Sequence, residues 1–154
     1  MTFFRAFDGM EEGFRQRAAR VLDLLSDDAT AFILVTAPRR DVVDEATYFA
    51  TKLGEADIPV RALVVNRMHP SFSDAAPESL RARAATFAGT ELGGLYENLA
   101  DFVTVASNEE AHLAGLAASV APAPVVRVPF LRSDVHDLDG LGTIAGYLFA
   151  PTPR

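Results

Sequence analysis

Short apolar runs along the chain predict a parallel β-sheet. Four runs are rich in β-branched and other apolar residues and do not alternate with polar ones, which is typical of strands buried on both faces. The predicted strands cover residues 31–37, 60–65, 102–106 and 125–128.

Apolar residues at steps of three and four predict helices around these strands. The predicted helices cover residues 10–25, 42–53, 77–88, 92–99, 107–119 and 137–149. Asp41 is positioned to cap the second of them, and Gly54 lies near its end. Ser107 and Glu110 have the spacing of a capping box, which predicts a helix start at Ser107.

The alternation of helices and strands predicts one α/β domain over residues 1–154. We expect a mostly parallel sheet with right-handed crossovers and helices on both faces, resembling the second half of a P-loop NTPase (Rossmann-like) domain. Ligands of such sheets bind beyond the carboxyl ends of the strands. The segments to inspect are therefore 36–40, 66–70, 106–108 and 129–134.

Composition narrows the class of protein. The chain has 154 residues, 49% apolar and 23% charged, which is typical of one globular domain. A net charge of -7 argues against binding nucleic acid or an anionic membrane surface. Cysteine is absent, which excludes disulfides and thiolate sites. The start is not signal-like and no run is apolar enough to insert into a membrane, so we expect a cytoplasmic protein.

The basic residues are almost all arginine. Lys52 is the single lysine, and it lies within the predicted helix 42–53. The phosphate-binding pattern GxxxxGK[ST] is absent, as is GxGxxG. The chain therefore lacks the loop and the lysine with which P-loop enzymes hold phosphate.

Several segments nevertheless resemble the carboxy-terminal half of the arsenical-pump or anion-transporting ATPase family. They are Phe-Ile-Leu-Val-Thr-Ala-Pro at 32–38, Asp-Glu-Ala-Thr-Tyr-Phe at 44–49 and the stretch 54–67 ending in Val-Val-Asn-Arg. Val-Arg-Val-Pro-Phe-Leu at 126–131, followed by 134–141, is similar to the last strand and adenine-facing loop of that family. The resemblance covers about residues 10–150.

The resemblance implies a site for ATP. In that family, the asparagine that ends the equivalent strand hydrogen-bonds adenine, and a proline-containing apolar loop packs on the base. This implies that Asn66 reads the base and that Pro129, Phe130 and Leu131 form the wall against it. An amide offers both a donor and an acceptor to a purine edge, and an apolar wall favours the ring face.

The resemblance also implies parts that this chain lacks. They are the phosphate loop, the switch with a water-positioning aspartate and the second switch, all upstream of residue 1, and the Mg ion belongs with them. Arg39 stands where the family commonly has a glutamate near its dimer interface. We therefore expect no ATP hydrolysis by the isolated chain, and a homo-oligomer or a pairing with a P-loop-containing chain.

Two other functions fit the same sequence. One is a non-catalytic interaction module, a truncated paralogue that pairs with a complete ATPase or another protein through an unpaired sheet edge. The other is a flavodoxin-like or receiver-like domain, although a receiver needs a lysine at a strand end and Lys52 is not at one.

Individual residues also have simpler interpretations. Asn66 could be a turn residue that bonds its own backbone, and the segment 129–131 could be a loop covering the core. Arg39 and Arg40 could hold an anion, or form a solvated pair with Asp41 or Asp44. The segment 136–139, with one histidine and two aspartates, fits helix capping better than a metal site. His69 and His112 are isolated in sequence, and Glu109 and Glu110 are expected to serve the helix cap at Ser107.

Overall fold

The protein has an α/β fold in which a small parallel sheet is covered by helices. The structure, a computed structural model, describes residues 3–149, with side chains over 11–149. Within that range the elements in chain order are α1 (Phe3–Ser26), β1 (Phe32–Thr36), α2 (Arg40–Glu55), β2 (Val60–Met68), α3 (Pro77–Thr86), α4 (Glu91–Ser119), β3 (Val125–Pro129) and α5 (Leu138–Leu148). This confirms the predicted fold class.

The three strands lie in the order β1-β2-β3, and all are parallel. Leu34 lies beside Leu63, which lies beside Val125 on the next strand. Both connecting helices, α2 and α4, pack on one face of the sheet, as crossovers of the same hand between successive neighbours require. The arrangement is Rossmann-like.

The core lies between this face and the two helices. Its fully buried side chains are Leu63 and Val65 from β2 and Leu113 and Leu116 from α4. Val43, Ala46 and Ala50 complete it from α2. A second, smaller cluster forms where α3 packs on the first half of α4, around Leu80, Ala100 and Val103.

The opposite face of the sheet is only partly covered. There α5 packs against β3, and Val128 is 2% exposed. Over β1 that face is open, because Ile33 and Val35 are 60% and 63% exposed. The helix α1 likewise presents large apolar side chains to solvent, among them Phe14 and Leu24. In the described part of the chain, no helix combines the length and the apolar character that a membrane crossing requires.

The predicted strand 102–106 is wrong. This segment is helical, and the two predicted helices on either side of it are parts of the single helix α4. Ala100, Val103 and Ala106 are buried at steps of three, whereas Phe102 is 47% exposed. The run therefore has helical periodicity, with one face against its neighbours and the other in solvent.

Two predicted helix starts are wrong as well. Ser107 lies inside α4, and the residue that caps this helix is Thr90, whose side chain accepts a hydrogen bond from the backbone N of Gly93 at 3.2 Å. In α2, Arg39 rather than Asp41 holds the N-cap position, without a side-chain cap. At α5 the capping interpretation is confirmed, since Asp137 accepts from the backbone N of Gly140 at 2.8 Å.

Candidate functional site

The end of β2 contains a backbone irregularity that shapes the site. The pairing of β2 with β3 shifts register between Val65 and Met68, and Arg67 has a φ of 63°. This left-handed conformation is uncommon for arginine and costs about 1–3 kcal/mol. Consecutive residues of a regular strand point to opposite faces, yet Asn66 and Arg67 both line one cavity. The irregularity thus brings two adjacent polar side chains to the same place.

That cavity lies at the carboxyl ends of β2 and β3 and has a volume of about 440 Å³. The four residues that the family resemblance implied for a base site all line it: Asn66, Pro129, Phe130 and Leu131. Its size is within the range of about 300–1,000 Å³ that is usual for small-molecule sites. Its other lining residues are Arg67, Ser133, Asp134, Val135 and Ile144. Asn66 is exposed and lies inside β2, which extends three residues beyond the predicted end at 65.

Phe130 is the aromatic side chain of this cavity, and it is 55% exposed. Its backbone N donates a hydrogen bond to the Met68 carbonyl at 2.7 Å, which fastens the loop after β3 to the end of β2. The guanidinium carbon of Arg67 lies 5.6 Å from the centre of the Phe130 ring, and the His69 ring is stacked on it at 6.1 Å. The ring is therefore held in place while much of its surface stays accessible.

His69 is bound to Glu109 across a long stretch of chain. The Glu109 carboxylate accepts from the His69 backbone N at 2.8 Å and lies 2.6 Å from its Nδ1. The Glu109 side chain is 13% exposed. His69 is isolated in sequence but has Glu109 as a partner in the fold, and the expectation that Glu109 serves a helix cap is wrong, because it lies inside α4. The two residues are 40 positions apart, and their sequence context contains no signal of the contact.

A second cavity of about 380 Å³ lies beside His69. It is bordered by Met68, His69, Ser71, Ala106, Ser107 and Glu110. The segment 106–108, predicted to be a strand end, thus reaches this edge of the sheet from inside α4. The Glu110 carboxylate is engaged by the Arg127 guanidinium at 2.6 and 2.9 Å, and this pairing raises the pKa of Arg127.

The remaining candidate residues lie outside both cavities. Arg39 donates two hydrogen bonds to Asp41, at 3.2 and 2.7 Å, which confirms the interpretation of this arginine as part of a solvated pair. These bonds hold the pKa of Asp41 below its ordinary value. Lys52 lies in α2 with its Nζ 2.6 Å from Glu55. No protein-family model matches the sequence, and no curated protein matches it either.

Proposed function

We propose that this chain is the adenine-binding portion of an ATPase resembling the anion-transporting, arsenical-pump type. The observation that supports this most is the meeting of Asn66 with Pro129, Phe130 and Leu131 in one cavity at the carboxyl edge of a parallel sheet. That edge is where α/β sheets hold their ligands.

Each residue has a distinct task in this proposal. The Asn66 amide donates to and accepts from the edge of the purine. The Phe130 ring receives the flat face of the base, and Pro129 and Leu131 exclude water from its sides. Because the Phe130 backbone is bonded to Met68 and its ring is stacked on His69, the loop and the ring are already partly ordered before binding.

The proposed chain binds ATP and does not hydrolyse it alone. Phosphoryl transfer depends on positioning and on neutralising charge, and the sequence has no GxxxxGK[ST] loop. Lys52, the only lysine, is paired with Glu55 in α2. Turnover, and the Mg ion that it needs, would come from a P-loop-containing chain paired with this one.

Nucleotide titration monitored by backbone amide NMR tests the proposal. ATP should shift the amides of Asn66 and Phe130, and Phe130→Ala should weaken binding about 5- to 150-fold, the equivalent of about 1–3 kcal/mol of stacking per base. Phe72→Ala is the matched control, because Phe72 is 65% exposed and packs on Phe102 outside the cavity. No shift at millimolar ATP would overturn the proposal.

A second candidate function is that of an interaction module that pairs with a complete ATPase or with another copy of this chain. The specific observation in its favour is the open sheet face at Ile33 and Val35 together with the exposed apolar side chains of α1. Apolar patches of this kind often mark protein interfaces. Sedimentation over a wide concentration range, with and without nucleotide, tests it. A monomer throughout, with no co-purifying partner, would argue against it.

A further inference from the structure

Arg67 lines the cavity beside Asn66 and, unlike Arg127 and Arg39, takes part in no ion pair among residues 11–149. Arg127 is bound to Glu110 and Arg39 to Asp41. Within residues 11–149, no carboxylate lies within salt-bridge distance of the Arg67 guanidinium, which instead lies over the Phe130 ring. The cavity therefore contains a cation that already lies over an aromatic ring.

The backbone conformation of Arg67 also supports a role in ligand binding. Glycine adopts a φ of 63° without steric cost, whereas an arginine there is strained. The strained position is also what allows the side chain to reach the cavity next to Asn66. Strained backbone of this kind is concentrated at ligand sites, where a side chain is needed in a direction that regular structure does not allow.

We propose that Arg67 forms the second wall of the base site, so that a purine ring stacks between its guanidinium and the Phe130 ring. This inference rests on the proposed function, since it specifies how the same cavity holds the base. A guanidinium is flat and weakly hydrated and stacks on aromatic rings, whereas an ammonium does not. In the free protein the guanidinium carbon lies 5.6 Å from the centre of the Phe130 ring, and the incoming base enters between the two groups.

The stacking makes a specific prediction about which ligands depend on Arg67. Affinities for adenosine and for ATP are measured by calorimetry for the wild type, Arg67→Lys and Arg67→Met. Both substitutions should lower the affinity for adenosine and the affinity for ATP by a similar factor, about 3- to 30-fold, because the lost contact is to the base. Arg132→Met is the charge-matched control, since Arg132 is exposed and does not line the cavity.

Arg67→Gly separates binding from folding. Relief of the strained φ should leave the melting temperature equal to or above that of the wild type, while adenosine and ATP affinity fall as in Arg67→Met. If Arg67 had only a structural role, Arg67→Gly would instead have a lower melting temperature than the wild type, and the folded variant would bind adenosine and ATP with unchanged affinity.

The outcomes distinguish the two proposals. Wild-type protein that binds neither adenosine nor ATP overturns both. Wild-type binding with unchanged affinity in the Arg67 variants overturns only the stacking role. A loss for ATP with adenosine unaffected also overturns it, because Arg67 would then contact phosphate. Equal losses for both ligands support it.

Discussion

The Glu109 carboxylate binds both the backbone and the ring of His69. One carboxylate oxygen lies 2.8 Å from the His69 backbone N, and the other lies 2.6 Å from the His69 Nδ1. The contact joins the end of β2 to the middle of α4. Because His69 also stacks on Phe130, the wall of the larger cavity is fastened to that helix.

Glu109→Ala should destabilise the fold by about 1–3 kcal/mol, because it leaves the partly buried donors of His69 without an acceptor. The neighbouring change Glu110→Ala is the control. It removes a half-exposed ion pair with Arg127 and should cost about 0–1 kcal/mol. Urea denaturation of both variants measures the difference. Equal losses would show that the His69 contact contributes no more than a surface ion pair.

Gly93 and Gly94 should respond in opposite ways to replacement by alanine. A Cβ on Gly93 would lie 2.4 Å from the carbonyl oxygen of Phe87, so the backbone must shift, at a cost of about 1–3 kcal/mol. A Cβ on Gly94 meets nothing within 4 Å, and alanine there should stabilise α4 by about 0.5–1 kcal/mol. Thermal unfolding of the two variants is the measurement. A stable Gly93→Ala protein would contradict the close packing between α4 and Phe87.

Leu113→Ala should cost about 2–5 kcal/mol, because Leu113 is 1% exposed at the centre of the core. Leu24→Ala removes the same atoms from α1, where Leu24 is 66% exposed, and should stay within about 0.5 kcal/mol. Both are measured by denaturation at low protein concentration. A large, concentration-dependent loss in Leu24→Ala would mean that another chain covers α1.

Removing Arg39 should raise the pKa of Asp41 toward 3.8, since hydrogen bonds from Arg39 are the main cause of its lowering. A carboxyl whose folded-state pKa is lowered stabilises the fold above its unfolded-state value and loses that contribution as pH falls through the folded value. NMR titration of Asp41 in the wild type and in Arg39→Gln measures the shift. Arg40→Gln serves as the control and should leave the titration unchanged.

The sequence predicted an element correctly where its pattern of apolar residues matches the side chains that are buried in the fold. β1, β3, α2 and α3 lie where the apolar patterns predict them, and Pro77 begins α3 as its fixed φ favours. The resemblance implied that Asn66 meets the loop 129–131, and the sheet brings them together because the carboxyl ends of the neighbouring strands β2 and β3 share one edge.

The segment 102–106 was misassigned because a short run of β-branched residues fits either a strand or a buried helix. In the structure this segment is helical. The helix packs against α3, and Thr104 Oγ1 donates a hydrogen bond to the Ala100 carbonyl one turn earlier at 2.7 Å. The left-handed Arg67 could not be predicted either, since glycine and asparagine are the usual signals of that conformation. The bond between His69 and Glu109 depends on tertiary packing and leaves no local pattern.

The continuity of α4 has a structural consequence. Its first half belongs to the small core around Leu80, its second half to the core beneath the sheet, and Glu109 lies between Val103 and Leu113. With 29 residues it is about 43 Å long. The same helix thus joins the edge of the sheet that carries the cavity, through Glu109 and His69, to the small core that holds α3.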